Sequence, residues 1–83
     1  MNIYLLTQNT VTGYDTYDSC VVVAVSAAKA KLIHPSEYHG NWDGKQDGVY
    51  DSWCDADKVT ATLIGKASSN VKAGLILSSF NAG

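Results

Sequence analysis

Cys20, Cys54, His34, His39 and eight carboxylates are the side chains in this 83-residue sequence with which covalent or metal chemistry could be done. His34, His39 and Cys54, with one Asp, could be drawn as four zinc ligands. Structural zinc sites use Cys or His in tightly spaced pairs, and Cys54 has neither within four residues. Cys54 with a His and an Asp could equally be drawn as a nucleophile with its base. No elbow or oxyanion loop flanks it, and so small a domain leaves little room for a substrate cleft. The stretch from Asp43 to Gly48 (DGKQDG) resembles the start of a calcium loop. A Lys stands at its third ligand position, however, and Cys54 stands where the bidentate Glu belongs. Gly65-Lys66-Ala67-Ser68 resembles the end of a phosphate loop, but the leading Gly is Thr60 and Ala67 takes the hydroxyl position. These failures point to a protein that is not an enzyme and carries no cofactor or metal. A small metal- or nucleotide-binding module built on His34, His39, Cys54 and Asp side chains is the alternative they leave.

Charge narrows the partners. The net charge is −2, all six cations are Lys, and there is no Arg. Nucleic-acid readers depend on Arg forks and clustered positive charge, and here the lysines are scattered singly, so direct nucleic-acid binding is not expected. Ser36 to Lys58 holds the acidity: Glu37, Asp43, Asp47, Asp51, Asp55 and Asp57 against Lys45 and Lys58, or −4. The same segment carries Tyr38, Trp42, Tyr50 and Trp53, and a second Tyr–Asp cluster repeats at a spacing of three in Tyr14-Asp15 and Tyr17-Asp18. Aromatic rings beside carboxylates are what a protein-binding surface is made of. The commoner fate of a large ring is to cap a small core, and that fate is expected for Trp42 or Trp53. The expected partner-binding surface is Tyr14, Asp15, Tyr17, Asp18, Asp43, Asp47, Tyr50 and Asp51.

The elements that must position these residues follow from hydrophobic pattern. Cys20 to Val25 (CVVVAV) has no polar alternation, which predicts an interior strand with both faces covered. Asn2 to Gln8 reads as a first strand, joined to it through the turn-rich Asn9 to Ser19 as a wide hairpin. Ser26 is a good N-cap for a helix over Ala27 to His34, which Pro35 ends. Val59 to Ala67 alternates as a strand, and Gly74 to Asn81 (GLILSSFN) reads as the last. The expected fold class is α+β: one small domain, β-β-α-β-β, with about four mostly antiparallel strands. One helix should lie on one face, and a long acidic aromatic loop over an edge or the other face. Val21, Val23, Val25, Leu63, Leu75 and Leu77 are expected to be buried on that sheet.

The N-terminus has no basic region before a long apolar run, and no run reaches the roughly 20 residues of a membrane span. Two cysteines are few for a small secreted domain, which predicts free thiols in a cytoplasmic protein. Oligomeric state is not fixed by the sequence.

NIYLLTQ, GYDTYDSCVVVAVSAAKAKLIHP, the Trp-containing middle, VTATLIGKA and GLILSSFNAG together resemble a family of short accessory proteins of tailed phages and prophages. YDTYDS, IHP and SFNAG are the most specific pieces. That family lends no functional residues. In size and layout the chain is also similar to small anti-CRISPR proteins of phages, in which a compact sheet with one helix blocks a host effector. The resemblance implies a phage protein that binds and inhibits a bacterial host protein, such as a nucleic-acid-binding defence effector, in the host cytoplasm.

Overall fold

The computed structural model describes residues 1–36, 42–46, 48 and 51–82. Four strands, β1 (Asn2–Thr7), β2 (Thr16–Ala24), β3 (Thr60–Lys66) and β4 (Gly74–Asn81), form one antiparallel sheet in the order β3-β1-β2-β4. One short helix, α1 (Ala27–Ala30), and a 3-10 turn at Ala56–Lys58 complete the α+β fold. The sheet and the β1–β2 hairpin match expectation.

Two elements differ in length. β2 begins at Thr16, inside the stretch expected to be turn, because Tyr17 and Ser19 find partners on Phe80 and Ser79 of β4. The helix is one turn long. Ser26 Oγ accepts from the Lys29 amide at 3.2 Å, and the chain then tightens into i→i+3 bonds from Leu32 to Lys29 and Ile33 to Ala30. Such a 3-10 turn releases the chain in time for His34 and Pro35 to enter the core.

The register sorts the strands into two faces. On one, Ala61, Leu6 and Cys20 form a cross-strand row, and Tyr4, Val22 and Leu75 form the next. Trp53, Cys54, Val59 and Ala30 close over these rows, so the core is a single layer between sheet and covering segments. Trp53 and Leu6 are fully buried, and at about 25 cal/mol per Å² each large side chain contributes roughly 2–3 kcal/mol of burial. The covering segment is fastened at several points. The Tyr17 amide donates to Ser52 O at 3.0 Å, and Ala56 donates to Gly44 O at 2.8 Å. Gly44 sits at φ +83°, where a Cβ would stand 3.0 Å from Leu32 Cδ2. Only glycine combines that backbone with so close an approach. The Trp53 segment therefore covers the same face as the helix, not an edge or the opposite face. Its long-loop form is not established, since residues 37–41, 47, 49 and 50 lie outside those described.

The opposite face has three rows: Thr60, Thr7, Ser19 and Ser79; Thr62, Leu5, Val21 and Leu77; and Gly65, Ile3, Val23 and Gly74. None of these residues is charged. The expectation that both faces of β2 are covered fails here. On this face Val23 is buried, Val21 is half-buried and Leu77 is 67% exposed. On the core face Leu75 is half-buried and Leu63, which pairs with Tyr4 on the outer strand, is 58% exposed, while Val25, beyond the end of β2, is 65% exposed. The physical reason is chain length. Residues outside the strands suffice for one full covering layer, so the opposite face is covered only in part, at Val23 and not at Leu77. An unbroken apolar run reports a central position in the sheet as readily as it reports two-sided coverage.

Candidate partner-binding surface

The β1–β2 connection is built around the Gln8 side chain. Its Nε2 donates to Val11 O at 2.7 Å and Tyr17 O at 2.9 Å, while its Oε1 accepts from the Thr10 and Val11 amides at 2.9 and 2.8 Å. Both donors and both lone pairs of the amide are thereby used. The far end of the loop is pinned to β4. Asp15 N donates to Asn81 O at 2.6 Å, Asn81 Nδ2 donates to Gly13 O at 2.7 Å, and Thr16 Oγ1 donates to the same carbonyl at 2.8 Å. Asp15 is held at φ +60°, among non-glycine residues the only described position in the left-handed region. For an L-residue that conformation costs about 1–2 kcal/mol, less for Asp, and persists because the surrounding bonds impose it. The result is a rigid turn with Tyr14 at its tip, 78% exposed, and Asp15 exposed beside it.

The two Tyr–Asp pairs have opposite fates. Tyr17 lies within β2, points to the core face, and packs on Phe80 with ring centroids 4.8 Å apart. Asp18 is the extra residue of a bulge between Tyr17 and Ser19, and it is exposed. A bulge re-aims its side chain out of the strand pattern. Tyr14, Asp15 and Asp18 thus form an exposed group on one loop and the strand entering it, while Tyr17 supports it from below.

The middle segment divides in the same way. Asp43 is exposed, and its Oδ1 accepts from Lys45 N at 3.0 Å, an Asx turn completed by Trp42 Nε1 donating to Lys45 O at 2.8 Å. Asp51 turns inward. Its side chain is 5% exposed and lies 3.6 Å from Nε2 of His34, which is itself buried. His34 Nδ1 accepts from Ser36 N at 3.0 Å, which leaves the ring proton on Nε2, facing the carboxylate. Trp42 and Tyr17 both meet the His34 ring edge-on, at 5.2 and 6.4 Å. Asp51 therefore anchors the Trp53 segment and offers no carboxylate to a partner. Asp47 and Tyr50, and the candidate ligand His39, lie outside the described residues. Sequence reasoning missed Gln8, whose bonds lie within the β1–β2 connection, and Gly13, Asn81 and Phe80, whose roles depend on the β2–β4 pairing.

Both thiols are free and buried. Burial pushes Cys20 from an ordinary value of 9.0 up to about 12. Cys54 is pushed up chiefly by burial, with Asp55, Asp57 and Asp51 adding to it and a backbone hydrogen bond opposing. Neither is an activated nucleophile, since a reactive thiol needs the opposite shift. The unfolded chain ionises Cys20 near pH 9 while the fold resists to about 12. That contribution to stability is complete below pH 9 and is lost as pH rises from 9 towards 12. A thiol-reactive dye should accordingly label native protein only as fast as it unfolds at pH 9, and both thiols at once in urea. Labelling of native protein at the rate of free cysteine would contradict the burial.

Among the described residues no three His, Cys, Asp or Glu side chains gather as a metal site, and no helix is long and apolar enough to cross a membrane. No family model, curated protein or solved structure matches the chain.

Proposed function

We propose that this chain is a non-enzymatic interaction protein whose Tyr14 turn engages a protein partner. The observation that carries this is a large aromatic ring held out in water on a turn fixed at both ends by side-chain bonds. The arrangement also holds a non-glycine residue, Asp15, in left-handed backbone. An amphipathic ring carried on an already ordered turn is the kind of anchor that dominates binding energy, because the backbone loses little entropy on docking. Asp15 and Asp18 beside it, with Asp43 exposed on the middle segment, suit a partner that presents a basic surface. The resemblance to small phage inhibitors adds the class of that partner: a bacterial host protein, such as a nucleic-acid-binding defence effector whose groove the acidic surface would occupy.

The test is paired capture from a bacterial lysate with tagged wild-type protein and Tyr14→Ala, followed by mass spectrometry. A protein retained by the wild type and lost with the folded variant is the expected result. If both retain the same proteins in the same amounts, Tyr14 is not an anchor and the proposal fails.

A further inference from the structure

β4 is the outer strand on one side of the sheet, so among the described residues one of its backbone edges has no strand beside it. Protein sheets normally blunt such an edge with charge or proline. The opposite outer strand, β3, ends on Lys66. Across GLILSSFN, β4 has no charge and no proline, and Ile76, Leu77 and Phe80 are 55%, 67% and 48% exposed. Among the described residues its protection is two bulges, the extra residue at Ile76 and the one at Asp18 on β2, between which Leu77 to Ser79 pair regularly with β2. Alongside this edge runs a cleft of about 310 Å³, lined by Leu75 to Ser78, Tyr17, Pro35 and Ser36.

We infer that β4 pairs with β4 of a second copy of this chain, antiparallel about a two-fold axis, to give a continuous eight-stranded sheet. Charge distribution selects this occupant. Lys72 stands two residues before β4, and Asp15 is bonded to Asn81 at its far end. An antiparallel two-fold brings the Lys72 end of each copy towards the Asp15 end of the other, so two opposite-charge pairings form together. Side-chain pattern agrees. An axis through Ser78 keeps core-facing residues on the core side, and it sets Phe80 of one copy across from Ile76 of the other, beside the cleft. Each cleft then receives an aromatic ring from the partner copy, and the exposed apolar side chains of β4 leave water.

Sedimentation equilibrium from low to high micromolar concentration tests this on the full chain. The expected result is a concentration-dependent mass rising from 8.9 kDa to twice that value and no further. Leu77→Lys, a change at an exposed position, should leave the circular dichroism spectrum intact and hold the protein at the monomer mass. Lys72→Glu should weaken dimerisation at least about tenfold, and Thr62→Lys on the β3 edge should leave it unchanged. Hydrogen exchange on unsubstituted protein should show β4 amides slowing as concentration rises. A monomer at every concentration, a dimer that Leu77→Lys does not disturb, loss of the dimer with Thr62→Lys, or open-ended growth would each overturn the inference.

Discussion

Trp53→Ala should cost about 3–5 kcal/mol and leave the chain at the edge of folding. Trp53 is fully buried at the centre of the layer that covers the sheet, in contact with the rows set by Leu6, Cys20, Tyr4 and Val22. Truncation removes the largest side chain of the core and opens a cavity that the short helix cannot fill. A domain of this size has a total stability near the lower end of about 5–15 kcal/mol, so a loss of this order removes most of it. Trp53→Phe should cost much less. The indole N–H is buried without a hydrogen-bond partner among the described residues, and phenyl removes that desolvation penalty while keeping most of the volume. Urea unfolding of the three proteins checks the order. Equal losses for Ala and Phe would mean that the site relaxes around either, and that the covering layer is not held by this ring.

Asp51→Ala should destabilise by about 2–4 kcal/mol, although Asp51 looks from the sequence like one more carboxylate of an acidic surface. Removing it takes away the carboxylate that lies 3.6 Å from the buried His34 Nε2. Asp51→Asn, which keeps the oxygen, should cost roughly 1 kcal/mol. The double variant His34→Ala, Asp51→Ala should lose less than the two single losses added together, because each single change already breaks the shared contact. Strict additivity in that cycle, measured by urea unfolding, would show that the two side chains do not interact.

These two residues also show how far the sequence could be read. CVVVAV announced the central strand, and GLILSSFN was legible as the last strand to the residue, because both are local patterns. The one-sided core was not legible. A run of valines looks the same whether a second layer or merely two neighbouring strands surround it. Tyr14-Asp15 and Tyr17-Asp18 read as equivalent pairs at a spacing of three, yet β2 begins between them, at Thr16. One ring is therefore governed by a turn and the other by the period of a strand. What stiffens that turn comes from Asn81, whose side chain reaches Gly13 across 68 positions of sequence. Asp51 and His34 likewise meet only because the chain doubles back over the sheet. No spacing rule could have joined them.

The exposed ring at Tyr14, 78% open to water on a turn bonded at both ends, carries the proposed function. The most direct measurement is the affinity of the captured partner for wild-type protein, Tyr14→Ala and Tyr14→Phe by surface plasmon resonance, with matched unfolding curves. The account predicts that Tyr14→Ala loses at least about tenfold in affinity, close to 1.4 kcal/mol, through a faster off-rate, while Tyr14→Phe keeps most of the binding. Identical affinity for wild type and Tyr14→Ala, with folding intact in both, would contradict it.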